Sequence, residues 1–334
     1  GTGKSVVAVN LLVRLTADGM VCQYVSKNSA PRNVYSKLLK RERKGAYIRS
    51  LFRGPGKFYT HTGQPFDAVL VDEAHRLNEK SGLYGNEGEN QMKEIIAASQ
   101  LTVFFIDEKQ RVTLKDAGRI DDIRRFANDA GAVIQEVELQ SQFRCNGSDS
   151  YLEWLDQALE TNPKDKIPPS FNYDFQVFDD PNELHAAIAQ HNTSNKARMV
   201  AGYCWEWKSV GRGDGAHHDI VLQEHDYARS WNLNSTPTWA IDPHSVSEIG
   251  CVHTSQGLEF DYVGVIVGDD MRFEDGTVVT DHTRRARTDQ SLKGIKKLAT
   301  TDPERAQQLA DEIIRNTYRV LMTRGLKGCY VFCT

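Results

Sequence analysis

Residues Gly1 to Ser5 read GTGKS, and few five-residue strings constrain a chain as tightly. A glycine-rich turn running into a helix lets successive backbone N–H groups converge on phosphate oxygens, and the positive end of the helix adds to the attraction. The lysine of such a loop neutralises the outer phosphates, and its serine hydroxyl helps hold a divalent cation. The complete pattern is a glycine, four residues, then Gly-Lys-Ser/Thr. The leading glycine and the strand that feeds the loop are therefore expected upstream of Gly1. The plainer alternative is a glycine-containing turn before an ordinary helix. In either case Val6, Val7, Ala8 and Val9 with Leu11, Leu12 and Leu15 give the helix a core face.

A loop of this kind needs a parallel sheet behind it, and the rest of the chain has that pattern. Short apolar, β-rich runs alternate with longer amphipathic segments, as expected of parallel sheets covered by helices on both faces. The first-half strands are predicted at Cys22 to Val25, Ala68 to Val71, Val103 to Ile106 and Ala132 to Val137, with helices at Gly3 to Leu15, Gln91 to Ala98 and Asp121 to Ala130. In the second half the strands are predicted at Arg198 to Cys204, Gly250 to Thr254, Tyr262 to Val267 and Gly328 to Cys333. Helices are predicted at Pro181 to Gln190 and Pro303 to Thr323. At 334 residues the chain has room for two domains. The expected boundary near Gly147 to Tyr151 gives domains of 1–147 and 148–334.

The charged and apolar fractions, 26% and 40%, are those of a soluble globular protein, and a net charge of −4 excludes a global bias toward nucleic acid. Any basic surface must be local. The six cysteines form no CxxC pair and have no histidine at zinc spacing, so small core thiols and a reducing cytosolic setting are expected. No apolar stretch approaches the roughly 18 residues that would span a membrane.

The decisive constellation begins with Phe66 to Leu77, FDAVLVDEAHRL. A buried strand ends there in two adjacent carboxylates. Asp72 is suited to hold Mg²⁺, and Glu73 to orient the water that attacks a γ-phosphate. Alone, the pair reads as an acidic turn; downstream of GTGKS the functional reading dominates. His75 reads equally well as a cap of the following helix. Phe104 to Gln110, FFIDEKQ, offers Gln110 as a γ-phosphate sensor. LQSQFRC, CVHTSQGLEFD and NTYRVLMTRG follow in order.

The ordered set GTGKS, VDEAH, IDEKQ, QFR, HTSQGLEFD and YRVLMTRG resembles motifs I to VI of superfamily 1 helicases, over almost the whole chain. VSKNSAPRNVY, DEAHRLNEKSGLYGNEGENQ, SQFRCNGSDSYLEWL and AGYCWEWK narrow the resemblance to the Schlafen group 3-like DNA/RNA helicase domain. The resemblance implies an α/β fold of two RecA-like P-loop domains, with ATP and Mg²⁺ between them and the first strand absent from the given sequence. By motif, Gly1, Thr2, Gly3, Lys4 and Ser5 would bind phosphates, with Ser5 and Asp72 at the metal and Glu73 at the water. Gln110, Arg144 and Arg324 would reach the γ-phosphate, Arg324 as a finger from the second domain. Phe143 would stack on adenine, and Gly257 and Glu259 would contact the nucleotide. A guanidinium fork suits charge spread over transferring phosphoryl oxygens.

Nucleic acid, expected as single-stranded DNA or RNA, would lie along Ser26, Asn28 and Ser29 and reach Thr254 in the second domain. Lys37, Lys40, Arg41, Arg43, Lys44, Arg49, Arg53 and Lys57 cluster against one acid, interleaved with Tyr47, Phe52, Phe58 and Tyr59. Cations that track a backbone and rings that stack on bases suit a single strand, although a solvated helix face with core aromatics has the same pattern. A second run holds Arg284, Arg285, Arg287, Lys293, Lys296 and Lys297. The chain has no room for large inserted subdomains, so translocation is better supported than duplex unwinding. A competing reading is an ATP-gated module controlling a nuclease or other effector, an N-terminal domain or partner outside this sequence. A nucleotide kinase, which has no use for the later motifs, is a weaker third. The tryptophans at 205, 207, 231 and 239 read as packing.

Overall fold

The computed structural model describes residues 3–39, 50–82, 85–139, 145–160, 170–208, 218–232 and 238–334. It divides into two compact units, Gly1–Arg111 with Lys115–Ser141, and Val112–Leu114 with Gln142–Thr334.

In the first unit, strands β1 (Cys22–Val25), β2 (Phe52–Arg53), β3 (Phe66–Val71) and β4 (Ser99–Phe104) form a parallel sheet in the order β2-β1-β3-β4. Parallel strands are covered on both faces and so read as nearly continuous apolar runs, which is why FDAVLV is buried at every position except Asp67. Ala68 and Leu70 meet Ala8 and Leu12 of helix α1 (Lys4–Ala17) on one face. On the other, Val69 and Val71 meet Met92 and Ile95 of a helix at Gln91–Ala97. Helices at Ser29–Leu39 and Ile120–Asp129 complete the unit. The register Tyr24↔Leu70, Val25↔Val71 and Val71↔Phe104 brings the carboxyl ends of β1, β3 and β4 level, the end at which open α/β sheets bind ligands.

Ala132 to Val137 is not a strand. Val133 is 99% exposed and Val137 77% exposed, and the run pairs with no strand among the described residues. Apolar, β-branched composition suits a pleated surface but makes a strand only when a neighbour supplies the ladder.

In the second unit, strands β5 (Asp174–Val177), β6 (Ala197–Ala201), β9 (Ile249–Gly250), β10 (Phe260–Val267) and β13 (Gly325–Cys333) form a five-stranded parallel sheet in the order β5-β13-β10-β6-β9. Two antiparallel hairpins, β7–β8 (Ile220–Leu222, Tyr227–Arg229) and β11–β12 (Met271–Glu274, Thr277–Thr280), were not anticipated. The long helix Pro303–Met322 starts where the Asp302 carboxylate accepts from Arg305 N–H and proline occupies its first turn. It buries Ile313, Ile314, Tyr318 and Leu321.

Gly250 to Thr254, expected as strand, turns helical after Gly250. The Thr254 hydroxyl accepts from Cys251 N–H at 3.0 Å and caps the short helix Val252–Ser255. Cys329 is buried as expected of a core thiol, whereas Cys333 at the strand end is exposed. Among the described residues no helix is long and apolar enough to cross a membrane.

Candidate nucleotide site

Gly3 caps α1 in the left-handed conformation, φ 76° and ψ 17°, which glycine adopts without a Cβ penalty. Lys4 and Ser5 then open the helix, so their backbone N–H groups belong to its unsatisfied first turn. Ser5 Oγ donates to Asp72 Oδ2 at 2.7 Å. Two residues 67 positions apart thereby meet at the carboxyl end of β3.

Asp72 follows β3 directly, and its N–H donates to Val25 O at 2.8 Å. The carboxylate is buried and accepts at Oδ2 from Tyr24 Oη at 2.5 Å as well as from Ser5. Burial, with the Glu73 charge beside it, pushes the Asp72 carboxyl up to about 6, against hydrogen bonds from Tyr24, Ser5 and Glu73 N–H. A buried carboxylate pair in that state favours a nearby cation. Ser5 and Asp72 offer the hard oxygen donors that Mg²⁺ prefers, and a hydroxyl plus one carboxylate is enough when phosphate oxygens and waters complete the shell. No group of three or more His, Cys, Asp or Glu among the described residues could hold a metal by itself.

Glu73 is buried and left-handed, φ 54° and ψ 46°, a conformation that persists in a non-glycine residue only where its surroundings over-determine it. Those surroundings are specific. Ala74 N–H donates to Phe105 O at 2.9 Å, and fully buried His75 places Nε2 3.1 Å from Glu73 Oε2. From behind, Gly118 lies so close that a Cβ there would sit 2.0 Å from Ala74 O. His75 Nδ1 accepts from Asp107 N–H at 3.4 Å.

Asp107 joins the network from the end of β4. Its Oδ2 lies 3.5 Å from Lys4 Nζ and accepts from Gln110 Nε2 at 2.7 Å. The carboxylate stands where one anion touches both Lys4 and Gln110. A phosphate oxygen would compete for both partners. Replacing Asp107 by Asn should therefore tighten nucleotide binding, by up to about fivefold for a partly exposed pair, measured by calorimetric titration. Weaker binding would mean that the carboxylate positions Lys4 instead of competing for it.

The structure thus brings together Gly3, Lys4, Ser5, Asp72, Glu73 and Gln110. Gly1, Thr2, Phe143 and Arg144 lie outside the described residues. Tyr24, Asp107 and the contact of His75 with Glu73 were missed. The only signal for Tyr24 was a phenol inside a buried strand, since buried Tyr O–H groups find partners.

In the second unit Gly257 is left-handed at φ 81°, and Glu259 is exposed. Arg324 is fully buried, its Nε donating to Val320 O at 2.9 Å and Nη1 to Leu258 O at 3.3 Å. Thr254 uses its hydroxyl on the helix cap described above.

Of the residues expected to meet nucleic acid in the first unit, Ser29 is exposed, whereas Ser26 and Asn28 are buried. Asn28 Oδ1 accepts from Ala30 N–H. Their neighbour Lys27 reaches Asn78 Oδ1 at 2.7 Å and Asp116 Oδ1 at 3.1 Å, fastening this segment to the turn that follows Glu73. Two expectations need correction. Phe52 and Phe58 belong to the core and present no stacking face, leaving Tyr59 exposed. Arg285 is likewise buried, ion-paired with Asp289 at 2.8 Å, while Arg284, Arg287, Lys293, Lys296 and Lys297 are exposed. Lys37, Arg53 and Lys57 are exposed; the cations at positions 40–49, and Tyr47, lie outside the described residues.

The family described as "Schlafen group 3, DNA/RNA helicase domain" matches residues 1–334. An uncharacterized protein of Saccharomyces cerevisiae, YPL245W, is 25% identical over 292 residues, covering 80% of this chain. The match takes in 62% of that relative's length. Among solved structures, a chain from "Structural Basis for DNA Unwinding at Forked dsDNA by two coordinating Pif1 helicases" is 10% identical. The alignment covers 97% of this chain and 91% of that one, with a TM-score of 0.23.

Proposed function

Because the chain belongs to the Schlafen group 3 DNA/RNA helicase domain family, we propose that it is an ATP-dependent motor on single-stranded nucleic acid, its ATP hydrolysis stimulated by that strand. The observation that carries the reading is the bond from Ser5 to Asp72, because it joins the phosphate loop to the carboxylates of β3. Bound Mg²⁺ would neutralise charge on the β- and γ-phosphates. Lys4 would neutralise the outer phosphates, Ser5 and Asp72 would hold the metal, and Glu73 would orient the attacking water. Gln110, released from Asp107, would meet the γ-phosphate. Arg144 and Arg324 are proposed to complete the site on the nucleotide, with Phe143 on adenine and Gly257 and Glu259 beside it. Ser29 and Thr254 are proposed to contact the strand's backbone, with buried Ser26 and Asn28 shaping the segment that carries Ser29.

Steady-state ATP hydrolysis by the full-length protein, with and without single-stranded DNA and RNA, tests this. Stimulation by one polymer, abolished in Lys4→Ala, is expected. Tight ATP binding with no response to either polymer would favour the ATP-gated module controlling an effector. Undiminished hydrolysis in Lys4→Ala would overturn the assignment of the site.

A further inference from the structure

The second unit contains a cavity of about 160 Å³ whose lining comprises Tyr203 and Trp207, Cys251, His253 and Thr254, and Thr288, Asp289 and Gln290. Three segments that lie far apart in sequence form its walls, and they are tied to one another. Ala286 N–H donates to Tyr203 O at 2.9 Å, and Arg287 N–H donates to Glu206 Oε1 at 2.5 Å. Ser291 Oγ lies 3.4 Å from His253 Nε2. The cavity is therefore a built feature of the fold.

Its chemistry is aromatic and nearly neutral. Tyr203 stacks on Trp231 with ring centroids 5.3 Å apart, and Trp207 packs on the same indole at 6.4 Å. Trp231 is fully buried and Trp207 half-buried, so Trp207 stands on a rigid platform while keeping part of its surface open. Among the described residues the buried Trp207 Nε1–H has no hydrogen-bond acceptor, so a turn of the indole toward an incoming ring breaks no bond to them. Among the lining residues the one carboxylate, Asp289, pairs with Arg285 at 2.8 Å, a guanidinium it shares with Asp270 at 3.6 Å, and the neighbouring Glu206 carboxylate is held by Arg287 N–H. Exposed Arg287 and Lys293 flank the Thr288–Gln290 wall.

We infer that this cavity receives a single nucleobase of the bound strand, stacked against Trp207, while Arg287 and Lys293 meet the adjoining phosphates. The inference rests on the nucleic-acid reading above and deepens it. An aliphatic ligand would fit the rings but has no use for the flanking cations. A free mononucleotide carries its phosphates on one side of the base, whereas a strand places a phosphate on each side of it, as cations on both sides of the wall require. Stacking on an aromatic face is tolerant of sequence, so the pocket would hold any base and contribute grip.

The test uses the full-length protein and a fluorescein-labelled oligothymidylate, compared with the same backbone carrying abasic sites. Wild type should prefer the base-containing strand about tenfold, as expected for loss of one stacked base. Trp207→Ala should lose that preference, and Trp207→Phe should retain most of it. Photocrosslinking of a 5-iodouracil oligonucleotide to wild type, mapped by mass spectrometry, should mark Trp207 or Tyr203 and needs no variant to fold. An unchanged preference in folded Trp207→Ala, or crosslinks confined to other segments, would overturn the pocket while leaving the motor reading intact. Failure of wild type to bind any strand, with or without a non-hydrolysable ATP analogue, would overturn both.

Discussion

Replacing Glu73 by Gln should lower ATP turnover by roughly 10²- to 10⁴-fold, the range for removing a positioned general base, and should change nucleotide affinity by less than about threefold. The side chain keeps its shape, so the left-handed turn at φ 54° and the bond from Ala74 to Phe105 have no reason to move. Only the charge is lost. That charge is one of the forces raising the Asp72 carboxyl to about 6, after burial itself. In the variant Asp72 should therefore shift back toward the ordinary carboxylate range, with Tyr24 and Ser5 still donating to it. On the proposed roles, the metal site would be preserved or improved while the attacking water would lose its orienting group. Single-turnover hydrolysis and calorimetric binding separate the two effects. Turnover within threefold of wild type would show that Glu73 is an acidic turn residue without a role at the reacting water.

The part of this site that was legible in the sequence is the part encoded locally. Lys4 and Ser5 are neighbours in one loop, and Asp72 and Glu73 adjoin at the end of one strand, so residue type and spacing suffice. Tyr24 and Asp107 act only after β1, β3 and β4 align their ends, and no spacing in the chain records that alignment. The same division runs through the fold. FDAVLV was readable because a strand buried on both faces is apolar throughout. The two hairpins of the second unit, with strands of three or four residues, are too short for periodicity to register. Ala132 to Val137 failed for the opposite reason, a strong local signal with no paired strand among the described residues. Phe52 and Phe58 show why interleaved aromatics are ambiguous: composition does not say which face a ring takes, and here both rings point into the core.

Arg285→Met should destabilise the second unit by about 3–5 kcal/mol near neutral pH, the cost of removing one partner from a buried ion pair. Arg285 lies between Asp270 and Asp289, at 3.6 and 2.8 Å, and all three side chains are at most 2% exposed. Methionine fills much of the space but leaves two buried carboxylates without a countercharge. Asp270 already has its pKa raised, chiefly by burial, even with Arg285 opposing that shift and Tyr318 donating to it. Without the guanidinium it should rise further. A carboxyl whose folded pKa exceeds its unfolded value binds more protons when folded, so its contribution to stability falls as pH rises between the two values. The deficit of Arg285→Met relative to wild type should accordingly be largest at neutral pH and shrink as the solution is acidified through the raised folded pKa. Urea unfolding of both proteins across that range measures it. A deficit below about 1 kcal/mol, or one that grows on acidification, would mean that the carboxylates are solvated and that the ion pair does not hold the 285–291 strap against the sheet. Because the same strap forms one wall of the aromatic cavity, strand binding should weaken in parallel with the loss of stability.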